Sequence, residues 1–133
     1  MTRYLLDTNI ISDLIRNPQG KAARRIAKVG EGAICTSVIV AAELRYGAAK
    51  SGSSRLRKVV EDLLGEIEVL PFESPADADY GDIRASLEAA GTPIGSNDLL
   101  IAAHARAVGA VIVTANTDEF RRVKGVKVEN WVG

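Results

Sequence analysis

The sequence predicts an α/β fold with a central, mostly parallel five-stranded sheet flanked by helices. Two observations carry this. Short runs rich in Val, Ile and Leu, several of them continuously apolar, alternate with longer helical stretches. Turn and cap residues, above all Asn17-Pro18-Gln19-Gly20 and Gly91-Thr92-Pro93, fall at the boundaries between them. The sequence contains no internal repeat, low-complexity tract or linker, so residues 1–133 are expected to form a single domain. A chain of that length buries about two-thirds of its unfolded surface.

The elements follow in order. Tyr4–Leu6 reads as the first strand, and Ile10–Arg16 as a helix ending at the Asn17–Gly20 turn. A basic helix then runs from Lys21 to Val29 and leads to a second strand, Ala33–Thr36. Ser37 is a cap for Val38–Lys50, and Ser53 for Ser54–Leu64. Ile67–Leu70 is the third strand, followed by a helix over Pro75–Ala90 that stops at Gly91. Ser96 is expected to cap Asn97–Val108, with Gly109 as the C-terminal signal. Nearly every position in Leu99–Ala105 is apolar, which predicts a helix buried on more than one side. Val111–Thr114 and Val126–Val128 complete the sheet.

Composition narrows the function classes. Apolar residues make up 47% of the chain, which excludes disorder through low hydrophobicity. No apolar run approaches the ~20 residues of a membrane span, and no signal segment is expected. The single cysteine, Cys35, excludes a disulfide framework and fits a reduced, cytoplasmic setting. Seventeen basic and seventeen acidic residues cancel, which argues against a uniformly basic nucleic-acid scaffold. The balance is not local. Residues 45–58 carry five basic side chains and no acid, and eight acids follow without a base between Val59 and Ile83. Further basic stretches span 16–28 and 121–127, leaving cations free to meet phosphate or an acidic segment of a partner.

Sites in open parallel sheets form beyond the carboxyl ends of the strands, where the crossover helices begin. Asp7 follows the first strand directly. Glu43 lies six residues past Ser37, about 9 Å along its helix, and helical side chains lean back toward the N-terminus. Asp98 occupies the first turn of the buried helix, and Thr114, Asn116 and Asp118 follow the fourth strand. Three carboxylates brought to one edge would take up a proton unless a cation kept them ionised. Oxygen donors without paired His or Cys favour Mg²⁺ or Mn²⁺ over Zn²⁺. Metal-dependent hydrolysis of a phosphate ester follows as the reaction class. Each acid also has a plainer reading: a turn or helix cap for Asp7, a solvent-facing glutamate for Glu43, a dipole-favouring residue for Asp98.

With these residues placed, the sequence resembles the PIN-domain ribonucleases, specifically VapC-type toxins of prokaryotic toxin–antitoxin pairs. Tyr4-Leu5-Leu6-Asp7-Thr8-Asn9 resembles the opening motif, and Thr36–Leu44 with Tyr46-Gly47 the second. Gly91–Ala105 is the most specific match, and Val113–Phe120 with Val126–Trp131 resembles the closing segment. The resemblance implies that Asp7, Glu43 and Asp98 bind Mg²⁺, with Mn²⁺ as a substitute, and activate a water against RNA phosphorus. It gives Thr8, Asn9, Ser37 and Thr114 the role of orienting the acids or the scissile phosphate. Many relatives carry a fourth acid where Asn116 stands; Asp118 is the expected substitute. The resemblance further implies a cognate antitoxin that covers the active site, a homodimer, and operator DNA bound only through the antitoxin.

Other residues fit less demanding roles. His104, about 240° around its helix from Asp98, is expected to be structural. Phe120 and Trp131 are expected in the core, and Arg84 is expected to pair with Glu88. Two rival readings stay open: a phosphatase or phosphotransfer domain with Asp7 as nucleophile, and a non-catalytic interaction module. The first lacks a second acid two residues on, where Asn9 stands.

Overall fold

The computed structural model describes all residues from Met1 to Gly133. Five strands form one sheet: β1 (Tyr4–Leu6), β2 (Ile34–Ser37), β3 (Glu68–Leu70), β4 (Val111–Val113) and β5 (Val128–Glu129). Their spatial order is β3-β2-β1-β4-β5, and every pair is parallel. Seven helices accompany it: α1 (Thr8–Arg16), α2 (Lys21–Val29), α3 (Val38–Ser51), α4 (Ser54–Glu66), α5 (Ala76–Ala89), α6 (Ser96–Val108) and α7 (Thr117–Phe120).

The three central strands are short because only a few residues are needed to cross the core. Leu5, Leu6, Cys35, Ile112 and Val113 are fully buried, as strands covered on both faces must be. Helices supply the other side of that core through Ile10, Ile11, Val40, Ala41, Ile101, Ala102 and Ala103. The alanines of α6 let it approach closely, and its whole stretch from Ile101 to Ala105 is buried. Phe120 and Trp131 close the core as expected.

Several boundaries differ from expectation for local reasons. α1 begins at Thr8, two residues early, because Asp7 caps it: its carboxylate accepts the Thr8 amide at 2.7 Å. Ala33 belongs to a single 3₁₀ turn, so β2 starts at Ile34 and extends through Ser37. β3 starts at Glu68, β4 ends at Val113, and β5 lies at Val128–Glu129 rather than Val126–Val128. Ser96 is the first residue of α6, not its cap; Gly95 holds that position without a side-chain bond. Gly109 ends α6 at φ +70°, a left-handed conformation that favours glycine. α7 was not foreseen. Gly20 packs close at the α1–α2 turn, where a Cβ would sit 2.9 Å from that of Asn17.

Ion pairs consume part of the basic stretch at 45–58. Arg45 grips Glu61 at 2.8 Å and Lys58 meets Asp62 at 3.0 Å, so these two cations are not free for phosphate. Arg84 pairs with Glu88 at 3.0 Å, as its spacing predicts.

Candidate active site

β1 and β4 are adjacent, so the residues that leave them emerge side by side. The Asp7 amide donates to the Val113 carbonyl at 2.9 Å, extending the sheet by one bond. The Thr114 hydroxyl then donates to Asp7 Oδ2 at 2.8 Å. Asn9 donates to the same oxygen at 3.3 Å, and its own Oδ1 accepts the Ala115 amide at 3.0 Å. Asp7 is only 4% exposed. Its burial raises its pKa against these hydrogen bonds, and the charge of Glu43 raises it further. With one oxygen capping α1 and the other held by two donors, the Asp7 carboxylate is fixed in place.

Glu43 reaches this edge from α3. The Thr8 hydroxyl donates to Glu43 Oε1 at 3.0 Å, so one dipeptide, Asp7-Thr8, ties α3 to β1. Asp98 enters from the first turn of α6, where Asn116 Nδ2 donates to its Oδ2 at 3.2 Å. Asp7, Thr8, Asn9, Ser12, Arg16, Glu43, Asp98 and Asn116 line one cavity of about 380 Å³ with no apolar residue in its wall. Three distant segments thus bring their carboxylates to one pocket.

The pocket is short of positive charge. Asp98 has its pKa pushed up to about 7, first by burial, then by a hydrogen bond with Glu119 and the charges of Asp7, Glu119 and Glu43. Glu119 moves the other way. Its carboxylate is stabilised by Asp98, by Asn116 and by the Gly95 amide, so the proton of the pair rests on Asp98. The donor set suits a hard divalent cation in kind: carboxylates and amide oxygens, with no thiol or imidazole in the wall. As the side chains stand, no three acids are gathered into one coordination shell. Glu43 is held by the Thr8 hydroxyl and Asp98 by Glu119.

Two expected residues fall elsewhere. Ser37 is fully buried beneath the site and cannot touch a substrate. Its hydroxyl accepts the Ile39 amide at 3.1 Å, and it lies 2.7 Å from His104 Nδ1, linking α3 to α6. His104 is therefore structural. Its Nε2 makes no hydrogen bond of good geometry, and burial lowers its pKa against a partly opposing Pro71 carbonyl. Asp118 is exposed, outside the pocket wall, and contacts none of the acids. Its neighbour Glu119, also outside that wall, is the acid that bonds Asp98 and Asn116, because successive residues of a helix are turned by about 100°. The signal for Glu119 was present in Asn116-Thr117-Asp118-Glu119, a cap-like residue followed by acids at the start of a helical turn. Ser12 and Arg16 were also missed, although they follow Thr8 at intervals of four.

The PIN domain family matches residues 4–126. The chain is 40% identical over 132 residues to a Shigella flexneri protein named tRNA(fMet)-specific endonuclease VapC, covering 98% of this chain and 99% of the relative. It is 41% identical over 133 residues to Haemophilus influenzae Ribonuclease VapC2, covering 99% of this chain and the whole of the relative. Among solved structures, it resembles a chain of DNA-bound VapBC from Salmonella typhimurium, with a TM-score of 0.90 and 38% identity over 98% of this chain and 99% of that one. It resembles equally a chain of VapBC2 from Rickettsia felis bound to a promoter DNA fragment, with a TM-score of 0.89 and 36% identity over the same shares.

Proposed function

The chain belongs to the PIN domain family, among the VapC ribonucleases, and from that premise we propose that it is the toxin of a type II toxin–antitoxin pair. Its activity is endoribonucleolytic: it hydrolyses RNA phosphodiester bonds and so inhibits translation and growth. One observation carries the reading. Asp7, Glu43 and Asp98 meet in a single polar pocket, and no basic side chain forms an ion pair with any of them.

Asp7, Glu43 and Asp98 are the residues that would hold a divalent cation, Mg²⁺ with Mn²⁺ as a substitute. Bound there, such a cation polarises a phosphate and makes a nearby water more acidic. The chain's own groups prepare the site. Thr114, Asn9 and the Thr8 amide fix Asp7, the Thr8 hydroxyl orients Glu43, and Asn116 holds one oxygen of Asp98. Such outer hydrogen bonds set the direction of ligand oxygens. Asn116 adds no charge at the position where many relatives carry an acid, and Glu119 supplies the fourth carboxylate in place of Asp118.

A VapB-like antitoxin is the cognate partner, in keeping with relatives whose structures are VapBC complexes on DNA. It covers the acid pocket and carries the operator-DNA contact, while the toxin forms a homodimer. The one cysteine is free and buried, which fits the reduced, cytoplasmic location we propose. Asp98→Asn removes one ligand charge at nearly constant volume. The variant is expected to fold and to lose RNA cleavage and growth arrest. Cleavage at the wild-type rate would refute the assignment.

A further inference from the structure

Arg16, the last residue of α1, borders two cavities. One is the acid pocket; the other, about 640 Å³, opens at the α1–α2 turn between Arg16, Asn17, Gln19 and Lys21, with Asp13 and Val132 also in its wall. Thr8, Ser12 and Arg16 share one face of α1, so a polar stripe runs from the acids into this second cleft. The Arg16 Cα lies about 12 Å along the helix from Thr8. Arg16 thus stands where the two cavities meet, bordering both the acids and the cleft beyond them.

The charges in the cleft are available. Arg16 and Lys21 are exposed and form no ion pair, whereas Arg3, Arg25, Arg45, Lys58, Arg84 and Arg106 each have a carboxylate partner. Asp13, the one acid in the wall, accepts the Asn17 side-chain amide at 2.9 Å and neutralises neither cation. Pro18 and Val132 are the only apolar side chains in its wall. A protein segment anchored by apolar side chains finds no seat here. The neighbouring groove between Leu14, Ile26, Ile34, Leu63 and Ile67 offers one instead.

We infer that this second cleft is a subsite for the sugar–phosphate backbone of substrate RNA beside the cleaved bond, with Arg16 and Lys21 as its phosphate-binding residues. The inference rests on the endoribonuclease reading. Arg16 suits it by geometry, since a guanidinium presents paired donors to phosphate oxygens while remaining charged at any working pH.

The test measures binding of a single-stranded RNA to Asp98→Asn protein, which does not cut, across a salt series. Each single-strand phosphate contact contributes about 0.7 to the slope of log affinity against log salt. Adding Arg16→Gln and Lys21→Gln together should flatten that slope by about 1.4, and each alone by about half as much. With Asp98 restored, Lys21→Gln, which lies outside the acid pocket, should show a KM about threefold higher on long RNA, because one charge-assisted contact is lost, with kcat unchanged. An RNA trimmed to the nucleotides around the cut should show no difference. Arg57→Gln, which removes an exposed cation on α4, should leave slope and KM alone. An unchanged slope, or an equal change from Arg57→Gln, overturns the subsite. A loss confined to antitoxin affinity reassigns the cleft to the protein partner and overturns it too. If wild-type protein cuts no RNA, the endoribonuclease reading fails by itself, while the slope still reports whether Arg16 and Lys21 bind phosphate.

Discussion

Two acidic clusters in this molecule meet opposite fates. Asp79 and Asp82 on α5 close around Arg106 of α6, at 2.6 and 2.7 Å, and the arginine also donates to the Lys124 carbonyl. Asp7, Glu43, Asp98 and Glu119 gather at the carboxyl edge of the sheet without an ion-pairing cation, and Asp98 there takes up a proton near neutral pH. Seventeen basic residues were available to pair them. The difference separates acids that hold two helices together from acids kept under repulsion, a stored preference for a positive ion.

That contrast is open to direct attack, beginning with its largest effect. Asp98→Asn should reduce RNA cleavage to background while raising the melting temperature of metal-free protein at pH 8, because it removes one of several crowded charges. Arg106→Gln should do the reverse: cleavage stays, and stability falls by about 1–2 kcal/mol, since Asp79 is left half-buried without its partner. For a chain of this size that is a fall of several degrees in a thermal melt. If both variants lower stability alike, the two clusters are not different in kind.

A smaller effect concerns pH. The folded protein holds the Asp98 proton up to about 7, whereas an unfolded aspartic acid releases it near 3.8. Between these values the folded state binds more protons, so metal-free stability declines as pH rises through that window and levels off above it. Measured between pH 5 and pH 8, the wild-type midpoint should fall relative to that of Asp98→Asn, a comparison that cancels the opposite contribution of His104, whose pKa burial lowers. Cleavage should rise over the same range, because a cation must displace that proton.

Much of this was readable in the sequence, for physical reasons that can be named. Short β-branched and leucine-rich runs between capped helices leave little freedom for the sheet, and the strand-end rule places Asp7, Glu43 and Asp98 at one edge, where they line a single pocket. Side-chain direction was harder. Asp118 and Glu119 are adjacent, and only the unforeseen turn of α7 decides which one meets Asp98 and Asn116. Ser37 looked equally suited to capping and to substrate contact, and burial decided for capping. The stripe Thr8–Ser12–Arg16 was hidden because its helix was read as starting at Ile10, which removed Thr8 from the pattern. Net charge misled most: neutrality arises from paired clusters on one side and an unpaired acidic pocket beside free cations on the other.

Calorimetric titration of Mn²⁺ into the wild-type protein and into Asp7→Ala and Asp98→Ala asks whether these acids hold a divalent cation. Saturable binding by the wild type, lost or strongly weakened in both variants, is the predicted result. No binding by the wild type, or binding that survives both substitutions unchanged, would contradict a metal-holding role for this pocket.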